Sequence, residues 1–242
     1  MSEKKKKVIL LYSGGRDSFL SSCLLVEAGY SVDMITFGNG LSISEKNARH
    51  GAKRLIKRYG SDRIAFLGAK SIAGIWRAFL LPYYNLMPSE ILKEYGELTI
   101  SQFNCLTCRM AMYTWAIIKA KQDNICFIAD GARKSQGFVV ELPSFIKELE
   151  VFLSTFEIKL LLPVFDLDME QKRKDLLLLR GFTPKSLEPQ CLIGVPLPNN
   201  KAPDETIQKA VIKYFNTIIV PKAKEIIAEN YETNLGTNSV MI

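Results

Sequence analysis

Two patterns of apolar spacing alternate along this chain. Residues 7–12, 32–37, 63–67, 125–129 and 160–165 are short, mostly apolar runs, the mark of strands buried on both faces. Between them, residues 17–28, 44–59, 108–121 and 168–179 repeat apolar positions every three or four residues, which predicts amphipathic helices. Gly29, Gly60 and Gly181 follow three of these helices and mark their ends. Strands joined through helices of this length need crossover connections. The pattern therefore predicts an α/β fold, with a parallel five-stranded sheet flanked by helices.

Two stretches break the alternation. In residues 72–100, Trp76, Pro82-Tyr83-Tyr84 and Pro88 interrupt the helical spacing, so short broken helices or a substrate-side insertion are expected. Beyond Pro196, the turn residues Pro198, Asn199 and Asn200 read as a linker, and residues 204–232 as helix interrupted at Pro221. This divides the chain into an α/β domain, 1–195, and a C-terminal helical extension, 196–242, whose helix pair is suited to a homodimer.

Composition narrows the class. With 48% hydrophobic residues over 242 positions, the chain can bury one large core. Its 32 basic and 25 acidic residues leave +7, which suits a polyanion such as RNA without demanding one. The basic run Arg49, Lys53, Arg54, Lys57 and Arg58 reads either as a solvated face or as a track for an RNA backbone. No stretch has the roughly 20 apolar residues a membrane span needs, and no secretory leader is visible, so a cytoplasmic protein is expected. Five cysteines in that compartment point to metal or thiol chemistry rather than disulfides. His50 is the only histidine, which excludes a multi-histidine metal site.

The sharpest chemistry lies at Ser13-Gly14-Gly15-Arg16-Asp17-Ser18, between the first strand and the first helix. Two glycines let the main chain turn tightly and approach a ligand, and the helix behind them directs free N–H groups at phosphate. Ser13 and Ser18 add hydroxyls. Asp17 would repel phosphate unless a metal ion lay between them or its carboxylate capped the helix. The string is neither a Walker A loop nor a dinucleotide fingerprint. Ligands in parallel sheets bind at the carboxyl ends of strands, where Phe37 and Asp130 also fall. Arg133 and Lys134 follow Asp130-Gly131, either as cations for phosphoryl transfer or as a solvated loop.

This string resembles the SGGxDS pyrophosphate loop of the ATP pyrophosphatase (PP-loop) superfamily, whose Rossmann-like fold is called HUP or adenine nucleotide alpha-hydrolase-like. The resemblance covers roughly residues 7–194. It implies an AMP-forming enzyme that uses ATP and Mg²⁺ to adenylate a carbonyl oxygen. Ser13, Gly14, Gly15, Arg16, Asp17 and Ser18 would hold phosphates, with Asp17 in the chemistry and main chain at Thr36 and Phe37 beside adenine. Asp130, Gly131, Arg133 and Lys134 complete the implied nucleotide site.

Cys105-Leu106-Thr107-Cys108 is placed at the head of a helix, where the dipole and Arg109 would favour thiolate. Cys191 follows in Gln190-Cys191-Leu192. The layout is similar to that of the tRNA-thiolating members of the superfamily. In the type resembling 2-thiouridylases, Cys191 would carry a persulfide that Cys105 helps to resolve. In the type resembling 2-thiocytidine synthases, Cys105, Cys108 and Cys191 would hold a [4Fe-4S] cluster with one iron open to sulfide. The segments IADGARKSQGF and LLPVFDLDMEQKRKDLL also resemble 7-cyano-7-deazaguanine synthases. That likeness leaves a Zn²⁺ site on the same three cysteines, needing one further ligand. The resemblance thus implies sulfur insertion into a tRNA base or related nucleobase, with a sulfur-donor protein as partner. Nitrogen transfer or amide formation is the alternative, and a catalytically silent nucleotide-binding module is the rival of another class. Cys23 and Cys126 read as small core residues, and Trp76, Tyr83 and Tyr84 as base-stacking or packing aromatics.

Overall fold

The computed structural model describes residues 6–40, 45–96, 98–135, 137–184 and 205–237. These residues form two compact units, each assembled from three separate stretches of chain. The first is made from the described residues of 1–71, 125–136 and 158–192, and the second from those of 72–124, 137–157 and 193–242.

The first unit holds all five strands: β1 (Lys7–Leu11), β2 (Ser31–Gly38), β3 (Ile64–Ser71), β4 (Phe127–Asp130) and β5 (Lys159–Leu161). They form one parallel sheet in the order β3-β2-β1-β4-β5. β1 and β2 fall on the apolar runs expected for them, with Val8, Ile9, Leu10, Val32, Met34 and Ile35 fully buried. β5 stops at Leu161 because Pro163 has no N–H to give the ladder. α1 (Arg16–Glu27) and α2 (Glu45–Tyr59) cover the sheet, and α7 (Glu170–Leu178) packs on α1. Leu11 lies opposite both Ile35 and Asp130, so β1 and β4 end level while β2 runs three residues further, to Gly38. The loops after them leave from one edge, at the point where the strand order reverses.

The second unit is helical: α3 (Ala73–Tyr84), α4 (Pro88–Tyr95), α5 (Ile100–Gln122), α6 (Pro143–Ser154), α8 (Glu205–Tyr214) and α9 (Val220–Thr237). Pro82 and Pro88 fall where broken helices were expected. Tyr83 is a packing residue, its ring 3.9 Å from that of Phe103, which in turn meets Tyr214 at 4.8 Å. The Tyr214 hydroxyl donates to the Phe79 carbonyl at 2.6 Å. Between α8 and α9, residues Phe215–Ile219 widen into a π-helical turn. Pro221 would clash with a carbonyl four residues back, and this turn takes up the misfit upstream of it.

One helix start differs from expectation. α5 begins at Ile100, not Cys108. Thr99 accepts from the Gln102 N–H at 3.3 Å while the Gln102 side chain accepts from the Thr99 N–H at 2.7 Å, a reciprocal cap. Cys105 and Cys108 therefore lie in the helix interior, away from the terminal N–H groups, and the dipole effect falls off within the first turn.

Candidate functional site

Built upward from the sheet, the site begins where β1 ends. The Tyr12 N–H donates to the Ile35 carbonyl at 2.8 Å, and Thr36 donates its hydroxyl to the Tyr12 carbonyl at 2.7 Å. The chain then turns sharply. Gly14 has φ +81°, and a Cβ on it would lie 2.7 Å from the Ala48 Cα and 2.9 Å from its nitrogen. Only glycine fits, because the main chain of the loop rests on the main chain of α2. Gly15 is the cap residue of α1, with extended backbone and no side-chain cap. Its N–H donates to Ser13 Oγ at 3.1 Å, and its carbonyl accepts from Ser18 Oγ at 3.1 Å. The two serine hydroxyls are 3.1 Å apart. The loop is thus wound by its own side chains, with the first-turn N–H groups of α1 at its end.

A second glycine closes the floor. A Cβ on Gly131, just beyond β4, would lie 2.7 Å from the Ser18 nitrogen and 2.9 Å from its Cα. The loop after β4 therefore packs directly on the head of α1, which places Asp130, Gly131 and Arg133 beside the Ser13–Ser18 loop. Thr36, Phe37 and Asp130 are all buried at the same sheet edge. Lys134 is exposed, and its N–H donates to the Phe165 carbonyl at 3.1 Å.

Asp17 does not cap α1. It lies in the first turn, 8% exposed, with Oδ2 at 2.6 Å from Arg133 Nε and Oδ1 at 3.0 Å from Arg173 Nε. These are charge contacts rather than aligned hydrogen bonds at those atoms. Arg173 is the residue that sequence reasoning missed. It is 2% exposed, and its Nη1 donates to the carbonyls of Leu167 and Asp168. Burial, with Arg133 nearby, lowers its affinity for its proton, and Asp17 opposes that shift. The signal was present: Arg173 stands four residues before the buried Leu177, on the inward stripe of α7. Arg16 is held differently. Its Nη1 lies 2.8 Å from Glu170 and its Nε donates to the Pro184 carbonyl at 3.1 Å. Lys174 and Arg16 together hold the Glu170 carboxyl down to about 2.

The cysteines divide. Cys105 and Cys108 are half-buried on α5, one turn apart, in the helical unit. Cys191 lies outside the described residues. No group of three potential metal-ligating residues occurs among the described ones. Cys23 is buried, as expected, and burial pushes its thiol up to about 11. Cys126 departs from expectation: it is exposed, because it lies just before β4 rather than within it.

An all-parallel sheet whose first strand runs through Ser-Gly-Gly-x-Asp-Ser into a helix defines the PP-loop ATP pyrophosphatase superfamily. Within it, residues 3–174 match the family described as thiamine biosynthesis protein (ThiI), and the chain belongs to that family. Among solved structures it is similar to a 4-thiouridine synthetase in complex with RNA and bound ATP, at 12% identity and a TM-score of 0.54. That likeness covers 94% of this chain and 53% of the other, so this chain spans about half of that protein. It is also similar to a "predicted subunit of tRNA methyltransferase" from Methanocaldococcus jannaschii, at 19% identity and a TM-score of 0.41, over 81% of this chain and 100% of that one. At 12% identity the likeness to the synthetase is one of fold. No protein of curated function matches the chain.

Proposed function

We propose that the protein binds ATP at Ser13–Ser18, adenylates a carbonyl oxygen with release of pyrophosphate, and then inserts sulfur into a tRNA base or related nucleobase. The observation that carries this reading is the loop and what packs on it: Gly14 in the turn and Gly131 after β4, where a Cβ would strike backbone, serines that wind the turn, and Arg133 brought beside it. Free N–H groups and a guanidinium on one side suit the β- and γ-phosphates. The substrate oxygen attacks the α-phosphate, the bond to the bridging oxygen breaks, and pyrophosphate departs. The former carbonyl oxygen then leaves with AMP when a nucleophile takes its carbon. Arg133 offsets charge developing on the phosphates.

Asp17 does not fit a Mg²⁺ ligand, because both its oxygens face guanidinium groups that would repel a second cation. Its role in this reading is to position Arg133. Cys105 and Cys108 supply two thiols, too few among the described residues for a cluster or zinc, and no step is routed through either. The persulfide route needs only two. A terminal persulfide sulfur on Cys191 takes the adenylated carbon and AMP leaves. The Cys105 thiolate then attacks the Cys191 sulfur, giving a Cys105–Cys191 disulfide and the thiolated product. The support is similarity to the thiolating relatives, among them the synthetase solved with RNA and ATP.

The test follows pyrophosphate released from ATP with an unmodified tRNA transcript and a persulfide donor. Pyrophosphate should appear with the transcript. Cys105→Ala and Cys191→Ala should lose thiolated product while keeping nucleotide binding. ATP that binds without releasing pyrophosphate in any acceptor's presence would favour the silent module instead.

A further inference from the structure

We propose that the outward face of α2, together with the notch beside Gly14, is where a polynucleotide backbone docks on this protein. The inference rests on the reading above that the substrate is an RNA.

α2 carries Lys46, Arg49, Lys53, Arg54, Lys57 and Arg58 against one acid, Glu45, which is spent on Arg49. A solvated helix face normally mixes its signs, and this one does not. Three of the lysines share one line: Lys46, Lys53 and Lys57 follow one another at steps of seven and four residues, with the His50 ring between the first two, and all are exposed, so they form a single stripe along the axis. At about 1.5 Å per residue the stripe is roughly 16 Å long. That is far longer than one phosphate group requires, and it matches the rise of about five nucleotides at about 3.4 Å each.

The stripe leads into a concavity. Arg16, Asn47, His50, Arg54 and Thr183 surround a notch whose wall is the Gly14 main chain. Arg54 is fixed there by stacking, its guanidinium 5.6 Å from the Phe19 ring and 5.5 Å from the Phe182 ring. Aromatic faces hold a cation without neutralising it, so its charge remains available to an anion. Charge, length and direction agree: a strand lying on α2 would be led towards the Ser13–Ser18 loop, where the acceptor base is activated. The same charge would also suit an acidic protein. The extended single row favours a regular polyanion, whose phosphates repeat, over a folded acidic surface.

The experiment measures binding of an unmodified tRNA transcript by fluorescence anisotropy across a salt series, using the full chain. The variant is Lys46→Gln/Lys53→Gln/Lys57→Gln. An equal loss of charge at exposed positions elsewhere in the unit, Lys70→Gln/Lys159→Gln/Lys172→Gln, is the control. Each phosphate contact contributes about 0.7–0.9 to the slope of log affinity against log salt. The α2 variant should flatten that slope by about two and bind about tenfold or more weakly at roughly 0.1 M salt. The control should change little, and ATP affinity should be unaltered in both. Equal weakening in the two triples would overturn the docking face and leave the RNA reading standing. If the unaltered chain does not bind the transcript at any salt, the docking face falls along with the RNA substrate, while the separate ATP measurement judges the nucleotide site. Retention of transcript binding by the α2 variant, with loss only of an acidic sulfur-donor protein, would also overturn it.

Discussion

Asp17 shows how one residue's role turns on what surrounds it. Read in sequence, a carboxylate inside a phosphate loop calls for a metal ion or a helix cap. The structure gives it two guanidinium partners instead, one on the loop after β4 and one on α7. Arg173 is anchored by two carbonyls as well as by Asp17, whereas Arg133 is less buried, at 17% side-chain exposure. The two arginines should therefore respond differently to substitution. Asp17→Asn leaves the buried Arg173 facing the half-buried Arg133 with no anion between them and should cost about 3 kcal/mol, read from urea unfolding. Arg133→Gln should leave the unfolding midpoint nearly in place and weaken ATP binding instead. If Asp17→Asn proved as stable as the parent chain, the positioning role would be lost. The loop string was legible from the sequence because its spacing is local. Arg173 was legible only in part: it shares a helical stripe with Leu177, but tertiary packing decides which basic residue of Lys172-Arg173-Lys174 turns inward.

At the scale of elements, the site depends on two places where backbone meets backbone. Gly14 on α2 and Gly131 on the head of α1 set the distance between the loop, the helix and β4. Gly14→Ala combines a strained φ of +81° with a contact at 2.7 Å that no side-chain rotation relieves. It should destabilise by about 2–4 kcal/mol and abolish nucleotide binding. Gly29 is the comparison. Its φ is +92°, but a Cβ there meets nothing within 4 Å, so Gly29→Ala should cost only about 1 kcal/mol and leave binding intact. Similar losses in both variants, measured by thermal unfolding and ATP titration, would show that conformation alone matters at Gly14. Element order was legible from the alternation of apolar runs and helical spacing. Element boundaries were less so. α5 starts eight residues before its expected beginning, at a Thr-Gln capping box whose pairing of side chain and main chain is a stronger start signal than the CxxC that follows it. α6 was missed although Phe145, Ile146, Leu149, Phe152 and Leu153 recur at helical spacing ahead of the strand expected at 160–165.

Across the whole molecule, sequence order and spatial order diverge. Each unit is made of three stretches, so the chain leaves the sheet after β3, returns for β4, leaves again and returns for β5. β1 lies between β2 and β4, and its Ile9, Leu10 and Leu11 pair with β4. A fragment of residues 1–124 would keep the phosphate loop but leave that flank of β1 bare. It should therefore show no cooperative unfolding transition by circular dichroism, whereas the full chain should show one. A fragment that unfolded cooperatively would mean that β1–β3 with α1–α5 suffice as a core. The alternating pattern made the parallel sheet legible, because burial on both faces leaves a simple apolar signature. The way two excursions gather into a helical unit leaves no such signature in any single stretch.

The burial of Arg173 has a spectroscopic consequence. Guanidinium protons on a protein surface trade rapidly with water, and their signals fade from nuclear magnetic resonance spectra. With its side chain 3% exposed, Arg173 keeps its Nε–H out of reach of that exchange, 3.0 Å from the Asp17 carboxylate. That resonance should persist where those of exposed arginines fade, and shift as phosphate arrives at the head of α1. The fold thus carries its own indicator of nucleotide occupancy, with no label attached.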